Sequence, residues 1–288
     1  MVRKEPSGPG EVFWDPEGGR IDASALEGAH AIVHLAGENI GSGDGPLAFI
    51  GRWSDQKKLS IMRSRQLGTR LLAETAAGLK QPPKVFISAS GVGYYGSSGD
   101  EQLDESREQG KGFLADVASE WEKGTRAASE AGIRTVLARL GVILTKRGGA
   151  VEKLYVPFQL GLGGPVGSGQ QWFSWVSLRD ATRALQFLAL GEQGKAATAS
   201  GSLNICGEPC RQGDFARALG SAMHRPALIP LPEPAVKLVF GEMGEETLLV
   251  SLRATNGKLT KELGFDLADP TVSAGCAAAV SDDVEKEW

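Results

Sequence analysis

The chain has 288 residues, of which 41% are hydrophobic and 23% are charged, a composition typical of a soluble globular protein with a sizeable core. The net charge of −4 and the lack of a basic stripe argue against nucleic acid as the main partner. No apolar run approaches the roughly 18 residues of a membrane span. The three cysteines form no metal-ligand pattern, so no metal site is expected.

Strand and helix signals alternate along most of the chain. Short apolar runs predict buried strands at residues 29–35, 84–88 and 135–140. Apolar residues at helical spacing predict helices at 60–79, 113–130 and 181–190. This alternation predicts parallel strands joined by right-handed crossovers, and therefore a doubly wound α/β sheet.

Two glycine-rich stretches, residues 41–51 and 193–201, predict surface loops. Beyond residue 229 prolines become frequent and the apolar runs short, which favours a small helical lobe packed on the sheet. We therefore expect two domains, residues 1–229 with the sheet and residues 230–288 with the helical lobe.

The residues that follow the predicted strands are the first candidates for a site, because ligands of doubly wound sheets bind beyond the carboxyl ends of the strands. Ala36 and Gly37 follow the first strand and would let a ligand approach the backbone, although an ordinary turn would look the same. Ser90, Tyr94 and Tyr95 follow the second strand. Their hydroxyls could bind a substrate carbonyl or carbinol, or they could be buried and satisfied within the fold.

The stretch 160–175 is unusual because five glycines precede three bulky aromatic residues. We expect it to face a ligand or to lie between the two lobes. Asp180, shortly after it, is expected to cap the following helix. His34 lies on the first predicted strand, where packing is a commoner role for histidine than catalysis.

Six segments occur in a recognisable order: LAGENI (35–40), RWSDQKKLSIMRSR (52–65), SASGVGYYG (88–96), GFLADVASEWE (112–122), RLGVIL (139–144) and FQLGLGGPVGSGQQWFSWVSLRD (158–180). Together they resemble the atypical extended short-chain dehydrogenases/reductases that are described as NAD-dependent epimerase/dehydratase-like or cell-division-inhibitor-like proteins. The C-terminal part, including LGFDL (263–267), resembles the small helical domain at the end of this family. The resemblance implies a Rossmann-like domain that binds NADP or NAD together with a small-molecule substrate of unknown identity.

The resemblance also implies cofactor-binding residues. Arg3 matches a basic residue that faces the adenosine 2′-phosphate, a role that suits a guanidinium. Leu35, Ala36 and Gly37 match a turn against the dinucleotide, and Arg65 matches an arginine near it. Members of the family begin with a strand and a glycine-rich loop that cradles the pyrophosphate. This sequence begins at residues matching the end of the second strand, so we expect an incomplete Rossmann-like domain and weak NADPH binding.

The catalytic pattern departs from the family as well. Ser90 matches the catalytic serine of these dehydrogenases, but Phe113 and Val117 stand where the Tyr-x-x-x-Lys pair is expected. A phenyl ring cannot relay a proton and valine supplies no charge, which leaves Tyr94 and Tyr95 as replacement phenols.

Three interpretations of the function stay open. One is an NADP-preferring oxidoreductase or epimerase, and another is a non-catalytic nucleotide-binding regulatory protein connected with plastids or cell division. The third is an inactive, truncated gene model. No targeting segment is visible, so the sequence leaves open the cytoplasm and the plastid stroma. The oligomeric state is equally open.

Overall fold

The structure, a computed structural model, describes residues 1–4, 6–8, 10–43, 51–191 and 194–281. The strands are β1 (Trp14–Asp15), β2 (Arg20–Ile21), β3 (Ala31–His34), β4 (Val85–Gly91), β5 (Gln102–Leu103), β6 (Arg134–Leu140), β7 (Val142–Leu144), β8 (Trp172–Phe173), β9 (Trp175–Ser177), β10 (Gly201–Ile205), β11 (Cys210–Arg211) and β12 (Arg253–Ala254). The helices are α1 (Asp55–Gly78), α2 (Phe113–Lys123), α3 (Arg126–Glu130), α4 (Gly149–Gln159), α5 (Leu178–Leu190), α6 (Gly194–Thr198), α7 (Gln212–Ala222), α8 (Glu233–Phe240), α9 (Glu242–Gly244) and α10 (Val272–Val280).

The central sheet has four parallel strands in the spatial order β10, β6, β4, β3. Its register places Ser90 of β4 opposite Arg139 of β6, and Arg139 opposite Asn204 of β10. These three side chains therefore form one row across the sheet. Within the described part of the chain, β3 pairs only with β4, so the other edge of β3 is open.

Helices cover both faces of the sheet. On one face α5 packs with the strand residues Val136, Leu203 and Ile205 in a buried apolar cluster. On the other face Leu72 of α1 and Ala128 of α3 belong to a second cluster, built around strand residues of β3 and β4. A parallel sheet buried on both sides is the predicted doubly wound architecture, which the structure confirms.

The predicted strands are found within a few residues of their expected bounds, but two of the predicted helices differ from expectation. The helix expected at 60–79 begins earlier, because the Ser54 hydroxyl caps α1 by accepting the Lys57 N–H at 3.0 Å. The helix expected at 113–130 is two helices, α2 and α3. They are separated at Gly124, where an added Cβ would lie 3.0 Å from the Thr69 side chain of α1.

The two loop predictions have different outcomes. The stretch 193–201 was predicted to be a loop, which is wrong because it contains the short helix α6. Of the other stretch, 41–51, residues 44–50 lie outside the described part of the chain, and the residues on either side carry no helix or strand.

The C-terminal segment, residues 230–281, is mainly helical and packs on the sheet domain. Besides α8, α9 and α10 it contains two single π-helical turns, Glu245–Leu249 and Lys258–Glu262. Strand β12 adds to β5, and α10 lies against α7. No helix among the described residues is both long and apolar enough to cross a bilayer. The domain division at residues 229 and 230 stays a prediction.

Two buried side chains of the sheet domain, Trp175 and Asp180, contact this segment. Trp175 of β9 is fully buried, with Gly207 and Gly275 against its indole. Asp180, expected to cap α5, has another role, since the cap is the Ser177 hydroxyl, which accepts the Asp180 N–H at 3.1 Å. The buried Asp180 carboxylate instead accepts the backbone N–H groups of residues 268 and 269, each at 2.8 Å.

Candidate functional site

The turn after β3 lies at the carboxyl edge of the sheet, where the family resemblance predicts the dinucleotide. Leu35, Ala36 and Gly37 are all exposed there. A side chain at Gly37 would bring its Cβ to 2.9 Å from the Cζ atom of Arg65, so a larger residue here would displace the guanidinium. The fold therefore brings together four of the five residues that the resemblance assigns to the cofactor.

Arg65 is the most unusual charge of this edge, because its side chain is buried without a direct ion pair to a carboxylate among the described residues. It lies on α1, is 9% exposed, and its guanidinium packs 4.7 Å from the ring centroid of Trp121. One nitrogen, Nη1, donates to the carbonyls of Glu38 and Ile61 at 3.0 and 3.2 Å. The Nε and Nη2 groups donate to no protein acceptor among the described residues. Burial lowers the pKa of Arg65 to about 10, and the charge of the nearby Glu38 opposes that shift only in part.

A buried cation of this kind favours an anionic ligand. Among the described residues, no carboxylate lies within ion-pair distance of Arg65. Desolvation of an unpaired guanidinium opposes folding, and a negatively charged ligand at the unused nitrogens would compensate for that cost. The residues at this edge therefore fit the phosphates of a dinucleotide.

Arg3, the fifth residue, lies apart from this group. Its side chain is 63% exposed and its Nη2 lies 3.6 Å from the Glu17 carboxylate. Exposed ion pairs of this kind contribute little to stability, so the guanidinium can exchange Glu17 for another anion at small cost. No contact links Arg3 with Arg65 in the described structure.

A second buried cation, which the sequence analysis missed, holds the loop after β3. Lys57 is 3% exposed, and its ammonium donates to the Glu38 carboxylate and to the Ser42 hydroxyl, the latter at 3.1 Å. The signal was available in the sequence, since Ser54 marks the start of α1 and places Lys57 in the first turn.

The residues proposed for catalysis gather at the carboxyl ends of β4 and β6, around a buried ion pair. Arg139 forms a two-point salt bridge with Glu122 of α2, with both N–O distances 2.8 Å. The Ser90 hydroxyl donates to the same carboxylate at 2.8 Å. Burial opposes the charge on Arg139, but the hydrogen bonds and charge of Glu122 raise its pKa above the ordinary value.

Tyr95 belongs to the same buried network. Its hydroxyl accepts from Arg139 at 3.0 Å and donates to the Asn204 side-chain oxygen at 2.7 Å. Burial raises the pKa of Tyr95 to about 12. The hydroxyls of Ser90 and Tyr95 are thus both held by protein groups in the interior.

Tyr94 differs from its neighbour. Its ring is partly exposed and packs on the Arg139 guanidinium, whose Cζ lies 3.5 Å from the ring centroid. No hydrogen bond to its hydroxyl is found among the described residues. Tyr94 is therefore the phenol of this edge that is available to a ligand, and Arg139 fixes the plane of its ring.

Phe113, at the tyrosine position of the family pattern, begins α2 beside this group. Its ring meets Trp53 edge-on at 5.1 Å, and the Lys58 ammonium lies 4.7 Å from its centroid. Glu246 of the C-terminal segment caps the helix by accepting the N–H groups of Phe113 and Leu114, both at 3.1 Å. Val117, at the lysine position, is buried in the fold.

The glycine- and tryptophan-rich stretch 160–175 lies between the sheet domain and the C-terminal segment. The Gln171 side chain donates to the carbonyl of Leu248 at 2.9 Å, and the Trp172 N–H donates to the Ser251 hydroxyl at 3.0 Å. These contacts favour the interlobe alternative, while the division into two lobes stays a prediction.

Comparisons with known proteins agree with this architecture. No family model matches the sequence. An epimerase family protein of Mycobacterium bovis is 38% identical over 98% of this chain and 88% of its own length. A chloroplastic homologue of SDR39U1, an epimerase family protein, in Arabidopsis thaliana is 35% identical over 84% of this chain and 66% of its own.

Two solved structures share both fold and sequence with the chain. The human epimerase family protein SDR39U1, crystallised with NADPH, superposes with a TM-score of 0.83 at 32% identity, covering 96% of this chain and 88% of that one. A nucleoside-diphosphate sugar epimerase from Corynebacterium glutamicum gives a TM-score of 0.71 at 31% identity. That match covers 99% of this chain and 54% of the other.

Proposed function

This chain belongs to the epimerase family, an atypical branch of the extended short-chain dehydrogenases/reductases, and on that premise we propose that it binds NADP or NAD at the carboxyl edge of its sheet. We further propose that it acts on a small molecule as an oxidoreductase or epimerase. The observation that carries the first part is Arg65, a buried guanidinium with unused donors and no direct ion pair to a carboxylate among the described residues.

The proposed cofactor contacts follow from the chemistry of each group. The Nε and Nη2 groups of Arg65 bind a phosphate. Gly37, which has no side chain, leaves room for the guanidinium and for that phosphate. The exposed turn from Leu35 to Gly37 lies along the dinucleotide. Arg3 exchanges Glu17 for the adenosine 2′-phosphate, which favours NADP over NAD. When bound, the nicotinamide ring supplies or accepts the hydride.

Replacement of Arg65 by methionine is expected to weaken NADPH binding by roughly 30-fold, since a charge-assisted contact to phosphate is lost. The free energy of unfolding of the ligand-free chain should change by less than about 1 kcal/mol, because the buried charge that is removed forms no direct ion pair with a carboxylate. Calorimetric titration and urea unfolding measure the two quantities.

The matched control is Arg70→Met on the same helix, where the exposed arginine pairs with Glu74 at 3.0 Å. This variant should bind NADPH as the unaltered chain does. Equal binding by the Arg65 variant and the unaltered chain would remove the main support for the proposed cofactor site.

For the chemical step we propose Tyr94 as the proton-transferring phenol, in place of the tyrosine that Phe113 replaces. The support is its partly exposed ring and a hydroxyl without a protein partner among the described residues. Ser90 and Tyr95 act in this proposal through the network of Arg139, which holds the Tyr94 ring.

Tyr94→Phe is expected to abolish NADPH-dependent reduction of a carbonyl probe such as 9,10-phenanthrenequinone, with NADPH binding retained. Tyr95→Phe should instead lower the unfolding free energy by about 1–3 kcal/mol, because buried hydrogen-bonding partners lose their hydroxyl. Tyr155→Phe, on α4, is the matched control. Unchanged turnover in both variants of the Tyr94–Tyr95 pair would exclude phenol catalysis.

The second candidate function is a non-catalytic, nucleotide-binding regulatory protein. Phe113 and Val117 favour it, since neither can perform the chemistry of the Tyr-x-x-x-Lys pair. NADPH binding by the unaltered chain, with no reduction of a panel of aldehydes, ketones and quinones, would support this function over the first.

A further inference from the structure

A group of polar and aromatic side chains surrounds Phe113 where α1, α2 and the C-terminal segment meet. The Lys58 ammonium binds both carboxylate oxygens of Glu242, at 2.8 and 2.9 Å. The pair remains accessible, with side-chain exposures of 29% for Lys58 and 43% for Glu242. The Phe113 ring lies beside Lys58, and the Trp53 ring packs edge-on against Phe113.

This group adjoins the site proposed for catalysis. The Gly110 N–H donates to the Tyr94 carbonyl at 3.0 Å. An added Cβ at Gly93, the residue before Tyr94, would lie 3.4 Å from the Cβ of Leu114. The Lys58–Glu242 pair is therefore separated from the Tyr94 loop by little more than the first turn of α2.

The chemistry of the group is suited to a sugar ring. An ammonium offers three N–H donors and a carboxylate offers two acceptor oxygens, so together they match two neighbouring hydroxyl groups, each of which both donates and accepts. Aromatic rings complement the apolar C–H face of such a ring. With both groups present, each hydroxyl can donate to the carboxylate and accept from the ammonium.

We propose that Lys58 and Glu242 together bind a vicinal diol of the ligand, across the junction between the sheet domain and the C-terminal segment. The proposal rests on the proposed function for the presence of a dinucleotide. The diol belongs either to the nicotinamide ribose or to a sugar of the substrate, and both present the same hydroxyl chemistry.

The test is calorimetric titration of the full chain and of its Lys58→Met and Glu242→Gln variants. The ligands are NADPH, 2′,5′-ADP, which lacks the nicotinamide ribose, and UDP-glucose compared with UDP. If the diol is the ribose, each variant should bind NADPH about tenfold more weakly and 2′,5′-ADP unchanged, as expected for a lost hydrogen bond to a charged group. If the diol is the substrate sugar, the tenfold loss should appear with UDP-glucose and not with UDP.

Lys237→Met is the matched control, since Lys237 forms an exposed pair with Glu233 at 2.7 Å in the same segment. The proposal is overturned if both variants bind every ligand normally. It is also overturned if the variants lose as much affinity for 2′,5′-ADP as for NADPH, or as much for UDP as for UDP-glucose. Such a pattern indicates that the C-terminal segment is no longer packed correctly, rather than that a contact with the diol is lost. Absence of NADPH binding by the unaltered chain contradicts the proposed function alone, and the UDP-glucose titration then tests the Lys58–Glu242 site. If the unaltered chain binds neither NADPH nor UDP-glucose, the proposed function and the proposed diol site are both contradicted.

Discussion

Glu122→Gln is expected to lower the free energy of unfolding by about 3–5 kcal/mol, the usual cost of leaving a buried charge without its partner. Arg139 is 3% exposed in its side chain and Glu122 is 10% exposed, so solvent cannot replace the lost carboxylate. The Ser90 hydroxyl loses a charged acceptor in the same variant. Urea unfolding at pH 7, followed by tryptophan fluorescence, measures the change.

Two further variants make this prediction decisive. Glu74→Gln removes a carboxylate from an exposed i,i+4 pair and should cost less than about 1 kcal/mol. The double variant Glu122→Leu with Arg139→Met removes both charges and should recover much of the stability, since neither charge is then left unpaired. A double variant less stable than Glu122→Gln would show that the pair itself, rather than the orphaned charge, supplies the stability.

Acidification is expected to destabilise the fold through His34, whose imidazole is 1% exposed between Trp14 and Trp121. Burial, and then the charge of Arg65, lower the pKa of His34 to about 4 from 6.5. The unfolded chain therefore binds this proton more readily than the folded chain. The stability due to neutral His34 is complete above pH 6.5 and is lost as the pH falls towards 4, with a total of about 3 kcal/mol.

Comparison of variants separates the contribution of His34 to the pH-dependent loss of stability from the contribution of carboxylates, which also become protonated at low pH. His34→Phe should lose about 2–3 kcal/mol less than the unaltered chain between pH 7 and pH 4.5. His224→Asn, which removes an exposed histidine, should follow the unaltered chain at every pH. The same pH dependence in His34→Phe and the unaltered chain would contradict a buried neutral imidazole.

The sheet could be predicted because each of its predicted strands is marked by its own short run of apolar residues. Apolar runs give the strands, and the rule that ligands bind at carboxyl ends directs attention to Gly37 and Ser90. The start of α1 was missed because its first turn is polar and carries no apolar periodicity, although Ser54 signals it. With that start, the buried position of Lys57 was missed as well.

The partners of the candidate site were beyond sequence reasoning for a different reason. Glu122 lies 32 residues from Ser90, and Glu246 lies 133 residues from the helix end it caps. Such contacts depend on how helices and lobes pack, which no periodic pattern encodes. One signal was present, since Arg139 is a charged residue between apolar neighbours in a predicted buried strand, and a charge buried there needs a partner.

Trp175 and Gly275 impose a joint constraint on how this sequence can diverge. A Cβ at Gly275 would lie 2.2 Å from the Cζ3 atom of the indole, so even alanine is excluded while the tryptophan is present. A smaller residue at 175 would leave a void beside the glycine, which is also costly. The two positions are therefore expected to covary among homologues, with larger residues at 275 found only where 175 is smaller. An alignment of the family would show this as a size-compensated pair that joins β9 to α10.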